Sequence, residues 1–315
     1  MKTFKSKISP FSRDDICPVL QFFKLINKFL LLSSQKLKMK INKTLIISMF
    51  ISLAQISISL ASTAQERIEN DIAAGKSVVI HVCVALADNE NQGIVPVPVA
   101  IGNGQDARTN LYWGARYGLK TYLLRDGGWE KIADLKPDDK SILERLVLKK
   151  TFSRNGQSLS LYLVADAWNG KYIRDTVIQF LKYNAGKDVI DIKLGEKKIR
   201  AGGNAHLIVY VGHNGLMDYS NILNPEPEPS RLPNDAIVLA CMSEDYFLSR
   251  LKKLGAHPLV LTTGLMAPEA YSLDAAIKMW AEGGDDIQVR RAAAKSYNKY
   301  QKTGLKAAER LFGVK

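Results

Sequence analysis

Six short apolar runs rich in β-branched residues constrain this chain more than any other feature; they fall at residues 78–86, 121–124, 159–165, 207–211, 237–240 and 259–261. Each lacks the polar alternation of a half-exposed strand and reads as a strand buried on both faces, the form that parallel sheets require. Helical patterns separate them, at 107–117, 142–149, 172–183, 245–254 and 269–280. In the last, Ala270, Leu273, Ile277 and Trp280 fall on one helical face. Alternating strands and helices predict an α/β fold, a three-layer, mostly parallel sheet flanked by helices. No internal repeat or interdomain linker interrupts residues 65–315, which read as a single α/β domain with a basic helical tail after Asp285.

The segment before this domain is different in kind. Met39-Lys40-Ile41-Asn42-Lys43 is a short basic start, residues 44–60 are apolar and uncharged, and Ala61-Ser62-Thr63-Ala64 offers the small residues a signal peptidase needs. That layout predicts a cleavable signal peptide over 39–64, a mature start near Gln65, and a periplasmic or secreted protein with no stable membrane anchor. Residues 1–38 precede a complete signal and read as a non-native N-terminal extension. Ten of the 44 Lys/Arg and two of the 31 Asp/Glu precede Gln65, so the net charge falls from +13 for the whole chain to +5 for the mature part. A weakly basic chain without a basic, aromatic-interleaved stripe gives no case for nucleic-acid binding.

In an open parallel sheet, residues just beyond the carboxyl ends of the strands converge on one crevice. That rule collects Asp88, Asn89, Asp166, His213, Cys241, Thr262 and Thr263. His213 and Cys241 are the types needed for a thiol nucleophile and its base, because imidazole can take the thiol proton and return it to a leaving group. A helix expected to start near Ser243, acting as N-cap, would favour thiolate, with Glu244 and Asp245 opposing. Asp166 and Asp218 would suit a basic substrate side chain. Cys83, inside an apolar run, reads as a buried hydrophobe, and His81 as a satisfied core histidine. His206 and His257 join no metal-spacing cluster, and no HExxH, CxxC or Walker-type loop is present, so no metal or nucleotide cofactor is expected. Two loops stand out: 91–106, with Pro96, Pro98 and Gly102-Asn103-Gly104, and the proline-rich 224–234. The first would overhang the crevice.

Leu207-Ile208-Val209-Tyr210-Val211-Gly212-His213-Asn214-Gly215, followed by Leu239-Ala240-Cys241-Met242-Ser243, resembles the paired signatures of the caspase, legumain, gingipain and separase superfamily of cysteine peptidases. The resemblance covers roughly residues 206–243. It implies a caspase-like fold, His213 as general base and acid, Cys241 as nucleophile, and an oxyanion site from the backbone of Cys241 and of Asn214 or Gly215. The sequence departs from the family pattern where Asn214 intervenes between His213 and Gly215, and where a βα unit at 159–183 precedes the histidine strand. Residues 89–114 are also similar to uncharacterised exported bacterial proteins, a likeness that implies no activity. The leading expectation is an exported cysteine hydrolase acting on a peptide. The alternatives are a non-catalytic relative binding a peptide or small molecule in the same crevice, which Asn214 favours, and an unrelated α/β binding protein.

Overall fold

The computed structural model describes residues 63–314. The extension 1–38 and the signal peptide, except for Thr63 and Ala64, lie outside the described residues. Among those described, no helix is long and apolar enough to cross a membrane.

Nine strands form in chain order: β1 (Val78–Ala85), β2 (Glu130–Leu135), β3 (Ile142–Arg154), β4 (Gln157–Trp168), β5 (Val189–Leu194), β6 (Lys197–Gly202), β7 (Leu207–Val211), β8 (Asp235–Leu239) and β9 (His257–Val260). Seven make one sheet in the order β2-β3-β4-β1-β7-β8-β9. The five strands from β4 to β9 in that order are parallel, and β3 and β2 extend the β4 edge as an antiparallel meander. The chain lays down β1 first, adds β4 on one side and then steps outward through β7, β8 and β9 on the other. That reversal beside β1 is a topological switch point, where the loops leaving strand ends diverge and open space for a site.

The helices are α1 (Ala64–Ala73), α2 (Leu119–Arg125), α3 (Ile173–Asn184), α4 (Gly215–Asp218), α5 (Ser243–Lys253), α6 (Ala270–Ala281), α7 (Asp286–Gln301) and α8 (Leu305–Leu311). Every residue of β1 is buried, and the strand's period of two sends alternate side chains into two cores. Ile80, Val82 and Val84 pack with Leu273, Ile277 and Trp280 of α6 and with Val289 and Ala293 of α7. Cys83 and Ala85 face the other way, with Val177 and Phe180 of α3 and Phe247 and Leu251 of α5. The β5–β6 hairpin covers the rest of that second face, where Ile192 and Ile199 meet Val79, Val147 and Val164. The result is the expected three-layer α/β arrangement, with the basic tail after Asp285 docked through Val289, Ala293 and Tyr297.

Three sequence expectations are corrected. Residues 142–149 are strand, part of β3, not helix. Residues 121–124 are helix, within α2, because Leu119, Tyr122 and Leu123 share one buried face. Residues 107–117 form turns, not a helix. There the Asn110 side chain captures the N–H and C=O of Ala87 at 3.0 and 2.8 Å, anchoring the loop to the end of β1 in place of a helical ladder.

Candidate active site

Val211 and Leu239 are register partners at the ends of β7 and β8. His213 and Cys241 each lie two residues beyond, so neighbouring strands deliver them to the same end of the sheet in the same register. The approach is tight: Gly212 N–H donates to the Leu239 carbonyl at 3.2 Å. Gly212 sits at φ +145°, and a Cβ there would lie 2.6 Å from the Ala85 carbonyl of β1, so glycine is required for β7 to close on its neighbour.

His213 is buried, and its Nε2 lies 3.1 Å from both carboxylate oxygens of Asp218. Asp218 Oδ2 also accepts the Gly93 N–H at 3.1 Å, which ties the loop after β1 to the imidazole's partner. Nε2 therefore donates to Asp218, and Nδ1, without a protein partner among the described residues, is the nitrogen left to accept a proton. The Tyr210 hydroxyl donates to the His213 carbonyl at 2.7 Å and holds the loop from below.

Cys241 is half-buried on a sharp strand-to-helix turn. Met242 adopts a left-handed conformation at φ 50° and stands as the N-cap of α5, without a side-chain capping bond. The expectation of Ser243 as N-cap is corrected: its hydroxyl instead donates to the Val238 carbonyl at 2.9 Å and braces the turn from inside. Thr262 completes the brace, bonding the Ala240 carbonyl through its hydroxyl and accepting the Glu244 N–H on its own carbonyl at 3.0 Å. The sulfur lies 3.4 Å from the Met266 N and 3.6 Å from the Met266 carbonyl. The Cys241 N–H has no protein acceptor among the described residues. Close by is Tyr112, whose hydroxyl pKa is pushed up by burial first and by Cys241 and Glu269 second.

Asn214 stitches the two loops together. Its Nδ2 donates to the Cys241 carbonyl at 2.8 Å, while its Oδ1 accepts the Leu216 N–H at 3.1 Å. The side chain is thus a strut between the histidine and cysteine loops. Gly215 packs against Ile173 and Val177. Neither of the two backbone donors expected after His213, the Asn214 and Gly215 N–H groups, has a hydrogen-bond acceptor among the described residues.

The remaining sequence candidates are placed differently. Asp166 is corrected outright: it lies within β4 as the register partner of Cys83, fully buried. Arg145 clasps it through two bonds of 2.6 and 2.7 Å, and His81 Nε2 is 3.2 Å away. It shares no pocket with Asp218, so those two carboxylates do not form a joint site for a basic side chain. Asp88 and Asn89 do follow β1, but as loop clamps: Asp88 accepts from the Glu90 and Asn91 N–H groups, and Asn89 pairs with both backbone groups of Val97. Thr262 is the buried brace described above, and Thr263 binds the Arg310 and Leu311 carbonyls at the C-terminal helix. No group of three or more His, Cys, Asp or Glu side chains among the described residues is arranged to hold a metal. Five cavities of about 400 to 890 Å³ among the described residues are lined by neither His213 nor Cys241.

The chain matches no family model, and it has no significant match among curated proteins or solved structures.

Proposed function

We propose that this is an exported cysteine hydrolase of the caspase-like peptidase type, working by acyl transfer through Cys241 and His213. The observation that carries the reading is the shared register of two adjacent strand ends, one bearing a histidine already held by a carboxylate and the other a half-buried cysteine on a braced turn. His213 Nδ1 takes the thiol proton, and the sulfur attacks the substrate carbonyl. The same imidazole returns the proton to the departing amine, and water then cleaves the acyl-enzyme with His213 as base. Asp218 orients the ring from Nε2, and the free N–H groups of Cys241 and of Asn214 or Gly215 are the donors available to the oxyanion. Substrate has to displace the sulfur from the Met266 backbone.

A second reading, a non-catalytic relative that binds a peptide or small molecule, is favoured by two observations. Met266 engages the sulfur on both its N–H and carbonyl sides, and neither His213 nor Cys241 lines any of five cavities of about 400 to 890 Å³ among the described residues. A thiol-directed covalent probe on the purified mature chain separates the two. The hydrolase reading expects one adduct, on Cys241, formed faster than in His213→Ala, while buried Cys83 stays unmodified. Labelling of Cys241 at the rate of an ordinary exposed thiol, unchanged by His213→Ala, supports the binding reading instead.

A further inference from the structure

A cavity of about 890 Å³ lies at the opposite, amino end of the sheet, and its lining includes Thr63, Ala64, Gln65, Asp235, His257 and Asp286. Three of these six flank the expected signal-peptidase bond. Asp235 opens β8 and is 2 % exposed. Its Oδ2 accepts from the Trp280 indole N–H at 2.7 Å and from the Gln65 side-chain amide at 3.3 Å, both neutral donors. No cation forms a salt bridge with it among the described residues; His257, the nearest candidate, is turned to Asp286 at 2.9 Å. A buried carboxylate with only neutral partners is an expensive arrangement, and here burial pushes its pKa up to about 6.

Cleavage of the Ala64–Gln65 bond changes what faces Asp235. In the described structure Thr63 caps α1, taking the Glu66 N–H on its hydroxyl and the Arg67 N–H on its carbonyl. Ala64 is buried in the first turn, so a peptidase acts before this turn folds. Cleavage removes the cap and leaves an ammonium group at Gln65, which the helix dipole disfavours unless an anion is near. Gln65 already reaches Asp235 by its side chain, whose oxygen is held by Arg154 at 2.7 Å.

We propose that the cavity at the amino end of the sheet is an ammonium-binding site built on Asp235, and that its occupant is the α-amine of Gln65 released by signal-peptide cleavage. The proposal rests on the cleavage reading and is independent of the thiol chemistry. The docked terminus adds to the existing Gln65–Asp235 contact between α1 and β8 a charged one that only the processed chain can make.

The test uses the exported protein, expressed from Met39. Intact mass and N-terminal sequencing are expected to show Gln65 with a free, uncyclised amine. A terminus elsewhere removes the premise and the proposal with it; a Gln65 terminus lighter by one ammonia overturns the docking alone. Reductive methylation then reads the α-amine. An ion pair that raises the amine pKa by one unit slows labelling about tenfold, so the folded wild type should label at least that much more slowly than Asp235→Asn, with equal rates in urea. Equal rates in the folded proteins overturn the proposal. If Asp235→Asn does not fold, slower labelling of wild type in buffer than in urea must still be seen. A freely labelled terminus, together with n-propylamine raising the Tm of wild type and not of Asp235→Asn, would assign the site to a free amine and overturn the docked terminus.

Discussion

At the scale of single residues, the candidate site depends on which atoms of His213 are already occupied. With Nε2 committed to Asp218, the ring has one orientation and one nitrogen to offer. Asp218→Asn removes the charge while keeping the size, and hydrolysis should fall by roughly 10²- to 10⁴-fold, the range in which a misoriented general base is felt. Alkylation of Cys241 at neutral pH should slow as well, Asp218→Glu should restore part of the rate, and circular dichroism should be unchanged in both variants. An unchanged alkylation rate would leave Asp218 as a structural hydrogen-bond partner only. The placement of His213 and Cys241 beyond neighbouring strand ends was legible because each comes within two residues of the end of an apolar run. The role of Asp218 was not, since a five-residue step through a four-residue helix has no periodic signature. Asp166 was misplaced for a related reason: the unbroken apolar run ends at Ala165, but the ladder continues through Ala167 and Trp168 and carries the aspartate inside the sheet.

At the scale of elements, the parallel strands were legible and the antiparallel edge was not. Residues 142–149 hold apolar side chains at 142, 143, 146, 147 and 148, a pattern that fits a helical stripe and a buried strand alike. The deciding signal lay just beyond it. Asn155 and Gly156 both take positive φ, 50° and 76°, the turn that joins two strands with matching twist. β3 and β4 pair from Arg154 and Gln157 outward. That pairing brings Arg145 onto Asp166. Desolvation alone would raise the Asp166 pKa, but the Arg145 and His81 bonds together hold it below the ordinary carboxylate value. Removing one partner of a buried pair leaves the other charge stranded, so Asp166→Asn should destabilise the fold by about 3–5 kcal/mol in urea titration. Alkylation of Cys241 in the folded variant should match wild type, because Asp166 belongs to the sheet and not to the site; a selective loss of thiol reactivity with intact stability would return it to the crevice.

At the scale of the whole molecule, the two ends of the sheet carry different groups. The carboxyl end carries the His213–Cys241 pair under the loop that reaches Asp218 through Gly93; the amino end is where α1 is fastened by polar groups. Arg67 of α1 donates to the carbonyls of Ala205, Pro233 and Asn204, and Asp71 of α1 accepts from His206 Nε2 at 3.0 Å. His206 Nδ1 accepts the Val79 N–H at 3.1 Å, so the buried ring is the neutral Nε2–H tautomer. Burial lowers the His206 pKa, and the His206 bond followed by the Lys76 bond lowers that of Asp71. Both shifts have the same sign for stability. The unfolded chain binds more protons than the folded one, first at His206 below its unfolded value of about 6.5 and then at Asp71 below about 3.9. Stability is therefore complete above about pH 6.5 and is lost as pH falls through the lowered folded values. One proton of difference corresponds to a slope of about 1.4 kcal/mol per pH unit. Asp235, if unpaired, acts oppositely between its unfolded value of about 3.9 and its raised value of about 6, so wild type alone does not isolate the histidine. The difference between wild type and His206→Gln does, since Asp235 is common to both. Urea midpoints measured from pH 7.5 downward should show the two proteins converging as wild type loses the histidine's contribution below about pH 6.5. Curves that instead diverge as pH falls toward 6.5, with wild type gaining on His206→Gln, would mean that His206 is protonated in the folded chain and that α1 is held to the sheet by an ion pair in place of a neutral hydrogen bond; parallel curves would mean that folding does not shift its protonation.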